Sequence, residues 1–206
     1  MQDIKQTLKS IDIINSNEDF KKIASKLINE YVIEIDKKEF SMTEIEFYYH
    51  SKKHPDSYVH KNDLQKEFGT FYVHQKDGTR GGIDLVLGNE ENDVYCGVLI
   101  RGLKDSSGNY ISGPNNVKQK VFCEILAVAN NYKDIQNIIN EKAILKKQKT
   151  DLNENIYHST RVGLSKKSND NLFISKLHRF IAYDTTKHKY KEKEKVKEFN
   201  NEEVFA

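Results

Sequence analysis

The chain has 206 residues, 37% of them hydrophobic and 31% charged, and a formal net charge of +2 from 33 Lys and Arg against 31 Asp and Glu. That length suits one domain with a real core, and no apolar run approaches the roughly 18 residues needed to span a bilayer, so no membrane partner is expected. Two cysteines, Cys96 and Cys123, give neither a disulfide framework nor a metal-ligand spacing, and residues 1–10 lack the apolar stretch of a secretory signal, so the expected location is the cytoplasm.

In chain order, Phe20, Ile23, Ala24, Leu27 and Ile28 recur at helical spacing and predict a short amphipathic helix over 17–29. Residues 31–35 alternate as a strand, and a second strand opens at Ser41 or Thr43 and runs through Tyr49. Strands follow at 71–75 and 82–87, joined through Lys76, Asp77, Gly78 and Thr79, where Asp-Gly signals a tight turn. The apolar stretch 94–103 predicts a long strand, ended by a turn at 105–108. Helical periodicity returns over 117–130, with Val121, Ile125 and Val128 on one stripe, and a second short helix is expected over 135–144. The last two strands are expected at 160–164 and 178–183. The expected class is α+β, one domain over 1–186 with mostly antiparallel strands, followed by a lysine-rich tail over 187–206.

The near-neutral net charge does not announce a nucleic-acid binder, because backbone affinity comes from clustered cations. Lys146, Lys147 and Lys149 form one cluster, and Lys187, Lys189, Lys191, Lys193, Lys195 and Lys197 form a second, diluted by Glu192, Glu194 and Glu198. A run of that kind reads first as a solvated tail.

The stretch TEIEFYY (43–49) is the most informative. On a strand, Glu44, Glu46 and Tyr48 share one face while Ile45, Phe47 and Tyr49 share the other. The second set makes a core face; the first alone would pass for ordinary solvent-side residues. Other residues shift that balance. His60 closes HPDSYVH, and Tyr72 and His74 share a face of the next strand. Gly81 and Gly82, before Ile83, Asp84 and Leu85, allow close approach of backbone or ligand. Arg101 lies inside the apolar GVLIRGL and must find an anion or point outward. Ser112-Gly113-Pro114 is a helix start signal. Together these supply a carboxylate base, an arginine to orient it and several flat rings. Such an inventory suits N-glycosidic hydrolysis, where a carboxylate both activates water and stabilises the developing oxocarbenium charge. A base taken out of its stack would lie between the aromatic faces. A metal site drawn from His50, His54, His60 and His74 with Asp56 or Asp84 is the alternative enzyme reading, although their spacing fits no compact ligand signature.

The order of these motifs resembles the alkyladenine-type DNA-3-methyladenine glycosylases. EIEFYY is similar to that family's Glu-x-Glu-x-Tyr strand, GTFYVH to its Gly-Thr-x-Tyr-Val-Tyr strand, and GVLIRGL to its Val-Leu-Leu-Arg-Ala-Leu strand. ISGP resembles its Ser-Gly-Pro helix start, and TRVGL and Arg179-Phe180 its Arg-Val-Gly and Arg-Phe strands. Even IASKLINEYVIEI looks like its opening segment, so the resemblance covers nearly the whole chain in order. It implies a compact α+β fold with a curved, mostly antiparallel sheet, no cofactor and no metal, and DNA as the partner. It further implies that Glu46 is the general base, that Arg101 helps to hold it and the water, and that Tyr48 and His60 stack on and hydrogen-bond a flipped purine.

Three positions depart from the family's pattern. His74 replaces the second pocket tyrosine, alongside Tyr72 on the same strand face. Asp84 replaces the pocket asparagine that excludes exocyclic amines, which opens the choice of base. Asp77 stands where the family carries its wedge tyrosine, so the expected DNA is single-stranded or distorted, or the substrate is a smaller nucleoside-like molecule. The expected activity is monofunctional removal of a damaged or modified purine. The alternative outside enzymes is a nucleic-acid-binding module of the same fold whose catalysis has lapsed.

Overall fold

The computed structural model describes residues 1–74, 81–129, 131–165, 172–182, 191 and 195–198, without the side chains of 124–126, 132, 197 and 198. Two helices, α1 (Gln2–Ser10) and α2 (Ser16–Glu30), precede strands β1 (Tyr31–Ile35), β2 (Lys38–Ser51) and β3 (His54–Pro55). A 3-10 turn (Asp63–Lys66) leads to β4 (Phe71–Val73), β5 (Ile83–Val86), β6 (Tyr95–Asp105) and β7 (Tyr110–Ser112). Helices α3 (Pro114–Val121), α4 (Cys123–Val128) and α5 (Tyr132–Lys142) follow, then β8 (Ala143–Lys147), β9 (Ile156–Ser159), β10 (Arg179–Ala182) and β11 (Lys197–Glu198).

The described strands join in a single curled antiparallel sheet, an α+β architecture with helices at its periphery. Its spine is the long pair β2 and β6, in register from Phe40↔Asp105 to His50↔Tyr95, with a bulge at Glu44. On the other edge of β2 no single neighbour runs its length: β1 pairs with its start, β10 with its middle and β3 with its end. On the far side of β6, β5 and β7 divide the edge in the same way. Short partners on a long twisted spine let the sheet curl, since each can follow the local twist.

Period-2 alternation decides what each face of β2 buries. Ile45, Phe47 and Tyr49 point into the main core, where Phe20 of α2 stacks on Phe47 with ring centroids 4.5 Å apart. Ile23, Leu27 and Ile28 complete the buried stripe of α2, and Ile4 and Leu8 bury α1 beside it. The other face of β2 is buried too. Glu44 and Glu46 are 1% and 0% exposed, so the solvent-side reading of that face is overturned: the segment 159–165 and the start of α3 fold over it.

Several expected boundaries change for physical reasons. The expected helix 117–130 begins at Pro114 and breaks at Phe122, which leaves helical geometry and buries its ring near Phe71. The helix expected over 135–144 ends at Lys142, because Ala143 and Ile144 open β8 and take up the free edge of β1. The strand expected at 160–164 lies earlier, as β9. Gly163, at φ +73°, bends the chain away from the ladder, and the Val162 N–H donates to Glu46 instead. Residues 1–10, read as a polar start, form α1. The turn at Lys76, Asp77, Gly78 and Thr79, Gln75 and most of the lysine-rich tail lie outside the described residues; within the tail, Lys197 and Glu198 pair with β9. Cys96 is buried as its segment implies, but Cys123 is exposed at the start of α4. Among the described residues no helix is long and apolar enough to cross a membrane.

Candidate active site

Strand register sets the site. Arg179 lies opposite Glu46, Glu46 opposite Leu99, Leu99 opposite Asp84 and Asp84 opposite Tyr72. Paired residues of a sheet project to the same side, so β10, β2, β6, β5 and β4 line up these five side chains on the face away from the main core. Two residues further along, Tyr48 and Arg101 join that face.

A cavity of about 530 Å³ opens on it. Its walls include Glu44, Tyr48, Tyr58, His60, His74, Asp84 and Arg101, closed by Pro114 of α3 and by Val162 and Gly163. Glu46 itself is fully buried and stands one layer behind this wall. Its Oε1 accepts the Val162 N–H at 2.7 Å, and its Oε2 accepts the Tyr48 hydroxyl at 3.0 Å and Arg101 Nη1 at 3.4 Å. Burial raises the Glu46 pKa above the ordinary carboxylate range; the Arg101 charge and the Val162 N–H pull it back only in part. Burial, reinforced by the Glu46 carboxylate, likewise pushes the Tyr48 phenol well above its usual range, so that hydroxyl remains a donor.

Arg101 answers two carboxylates. Its Nε donates to Glu44 Oε1 at 2.8 Å, a closer bond than the one it gives Glu46. Burial disfavours its charge, yet the Glu46 and Glu44 carboxylates outweigh that and raise its pKa. Arg179 Nε adds a second guanidinium at 2.9 Å from the same Glu44 oxygen, and Arg179 Nη2 donates to the Lys191 carbonyl at 2.8 Å. Lys191 thus brings part of the tail to the cavity wall. Sequence reasoning assigned no role to Glu44 or Arg179, although an arginine inside the apolar HRFIAY carries the same signal that singled out Arg101.

The aromatic side is equally ordered. Arg161 lies over one face of Tyr48, 4.7 Å from the ring centroid, and is fixed by Asp56 Oδ2 at 2.6 Å. His60 and His74 have ring centroids 4.7 Å apart, and the Tyr72 hydroxyl is 3.5 Å from His60 Nδ1. His74 Nε2 stands 2.7 Å from Asp84 Oδ1, while Gln65 Nε2 donates to Asp84 Oδ2 at 3.3 Å. Gly97 makes room for this group, since a Cβ there would collide with the Asp84 carboxylate and meet Gln65 Nε2 at 2.8 Å. Gln65, Arg161, Tyr58 and the Val162 N–H are participants that sequence reasoning missed; Gln65 and Tyr58 come from a turn and a loop, and Arg161 and Val162 from a segment that reads as a strand but leaves the ladder.

All seven expected site residues therefore gather on one face: Tyr48, His60, His74, Asp84 and Arg101 at the cavity, Glu46 behind it and Tyr72 against His60. The four histidines of the metal alternative do not gather. His54 is packed between Phe20, Tyr49 and Phe173, and His50 faces the Asp56 carbonyl at 3.2 Å. Among the described residues no three His, Cys, Asp or Glu side chains converge as an ion site. The first lysine cluster is largely taken up by ion pairs: Lys146 with Glu34 and Glu39, and Lys147 with Glu30.

No family model matches the chain. An uncharacterized protein of Acanthamoeba polyphaga mimivirus is 32% identical over 182 residues, spanning 76% of this chain and 83% of the relative.

Proposed function

The chain belongs to the family of that mimivirus protein, and for this member we propose hydrolysis of the N-glycosidic bond of a modified purine nucleotide in DNA, with Glu46 as the base that activates water. The observation that carries the reading is a buried carboxylate of raised pKa held directly behind a cavity lined by flat rings. A base needs a pKa nearer neutrality than an exposed carboxylate has, and burial supplies it. The ordered resemblance to alkyladenine glycosylases supports the same assignment.

In this reading the purine enters between Tyr48, His60 and His74, and its sugar faces Arg101 and Val162. Water admitted between Tyr48 and Arg101 reaches Glu46 Oε2, displacing the Tyr48 hydroxyl. Glu46 takes a proton as the oxygen bonds to the anomeric carbon and the base departs. Glu44, its charge balanced by Arg101 and Arg179, is the second carboxylate, and it stabilises positive charge on the sugar. The start of α3 beside the cavity, with Ser112, Gly113 and Pro114 in its wall, suits a backbone phosphate, as does Lys191. No cofactor or metal is invoked. The location proposed with this activity is the cytoplasm, in keeping with two free cysteines.

The complete burial of Glu46 favours one other reading, a nucleic-acid-binding module whose base no longer meets water. The two readings separate on base release from single- and double-stranded oligonucleotides carrying 3-methyladenine, 7-methylguanine or hypoxanthine. Release by wild type, reduced ~100-fold or more in Glu46→Gln, is the expected result. Salt-sensitive binding by both proteins with no release would leave the binding module standing instead.

A further inference from the structure

We propose, on the basis of the hydrolase reading above, that His74, positioned by Asp84 and Gln65, donates a proton to the leaving base, so that the site favours neutral purines over cationic alkylated ones. Asp84 is 1% exposed and both of its oxygens are engaged, one by His74 and one by Gln65. All three side chains line the cavity, and of them the imidazole is the one whose second ring nitrogen can give up a proton. A carboxylate that accepts from one ring nitrogen fixes the ring and stabilises its protonated form, which makes the other nitrogen a donor. That other nitrogen, Nδ1, lies on the Gly82 side. A Cβ on Gly82 would stand 3.7 Å from Nδ1, 3.7 Å from Pro114 Cβ and 2.6 Å from Leu99 Cδ1. The missing side chain keeps Nδ1 beside the wall that Pro114 and Leu99 give the cavity.

Several described groups bear on the proton. Asp84 faces the ring from β5, Tyr72 lies beside it on β4, and His60 approaches from the loop before the 3-10 turn. Lys118 of α3 donates to the His74 carbonyl at 3.4 Å, and Glu44, Arg101 and Lys191 line the same cavity. The Asp84 carboxylate, 2.7 Å from Nε2, favours the imidazolium.

The step balances without a co-reactant. The bond between the anomeric carbon and the purine nitrogen breaks with its electron pair going to the base. His74 transfers the Nδ1 proton to a base nitrogen; water gives its proton to Glu46 and its oxygen to the sugar. Solvent then returns the proton from Glu46 to His74. A cationic N-alkylated purine leaves as a neutral base and needs no such donor.

The test is single-turnover release of hypoxanthine and of 7-methylguanine from otherwise identical single-stranded oligonucleotides, as a function of pH, by wild type, His74→Gln and Asp84→Asn. His74→Gln removes a ring contact from both bases, and is expected to slow hypoxanthine release ~100-fold more than 7-methylguanine release. Asp84→Asn is expected to move the alkaline limb of the hypoxanthine profile to lower pH. Histidine-selective NMR titration reads the ring without turnover, and its midpoint for His74 should fall in Asp84→Asn. An equal loss for both bases in His74→Gln, or an unmoved titration in Asp84→Asn, overturns the proton-donor role while leaving the hydrolase intact. If wild type releases neither base, the hydrolase reading itself fails and this role fails with it.

Discussion

Arg161 Nη1 stands 2.6 Å from Asp56 Oδ2, with both side chains fully excluded from solvent. The same guanidinium nitrogen donates to the Phe47 carbonyl, Nη2 donates to the Phe173 carbonyl, and the group lies over Tyr48. A buried pair costs much to desolvate, so its loss is felt mainly through the partner left uncompensated. Asp56→Asn leaves Arg161 buried without its anion and is expected to lower unfolding stability by about 3–5 kcal/mol, read as a lower denaturant midpoint at unchanged slope. Because Tyr48 loses its backing, weaker substrate binding should accompany the change even where the fold survives. A loss within about 0.5 kcal/mol would show that solvent reaches this pair.

The raised pKa of Glu46 predicts a pH profile. The base works only when deprotonated, so the acid limb of base release should lie above the ordinary carboxylate range. Arg101 is the largest influence that pulls the Glu46 pKa down, so removing its charge raises that pKa further. Arg101→Gln is therefore expected to move the acid limb to higher pH as well as to slow turnover. A limb that stays put in Arg101→Gln, or lies at the value of an exposed carboxylate in wild type, removes Glu46 as the titrating base.

Much of this site was legible because strand alternation is a strict rule. TEIEFYY already assigned Glu44, Glu46 and Tyr48 to one face, and the apolar setting of Arg101 left it to find an anion or point outward. Alternation does not say what covers the polar face. The cover comes from 159–165, where Gly163 and a side-chain-directed Val162 N–H interrupt a segment that reads as a strand. Gln65 was beyond reach for a related reason: a 3-10 turn brings it to Asp84 from 19 residues away, and no periodicity marks it. In α1 only Ile4 and Leu8 are buried, too few apolar positions to stand out in a polar opening. The sheet edge at β8 was hidden because Ala143 and Ile144 continue the helical pattern of α5 until pairing with β1 claims them.

Gly97 tests how closely the sheet is fitted to its buried carboxylate. It lies on β6 opposite Tyr48, and the space a side chain would fill belongs to Asp84 and Gln65. Neither neighbour can retreat easily, since Asp84 is tied to His74 and Gln65 is 1% exposed. Gly97→Ala is expected to cost about 1–3 kcal/mol through overpacking, visible as a lower melting temperature. It should also separate His74 from Asp84, so the His74 titration seen by NMR should move towards that of Asp84→Asn. A stable Gly97→Ala variant with an unchanged titration would show that β6 shifts to accept the methyl group.

The cluster around Phe20 predicts how stability depends on pH. His178 is fully buried, 4.7 Å from Phe20 and 5.4 Å from His54 between ring centroids, and its Nδ1 has no hydrogen-bond partner among the described residues. Burial, with the Arg161 charge second, holds its pKa well below the ordinary histidine value of 6.5, and burial also lowers that of His54. A histidine whose pKa is depressed on folding binds fewer protons folded than unfolded between the two values. Stability from these residues is therefore fully present above the unfolded value of 6.5 and declines as pH falls below it. Denaturant unfolding from pH 8 to pH 5 should show that decline, and His178→Phe, which keeps a ring against Phe20, should flatten it. The same slope in His178→Phe as in wild type would place the titration elsewhere, with His54 the next residue to replace.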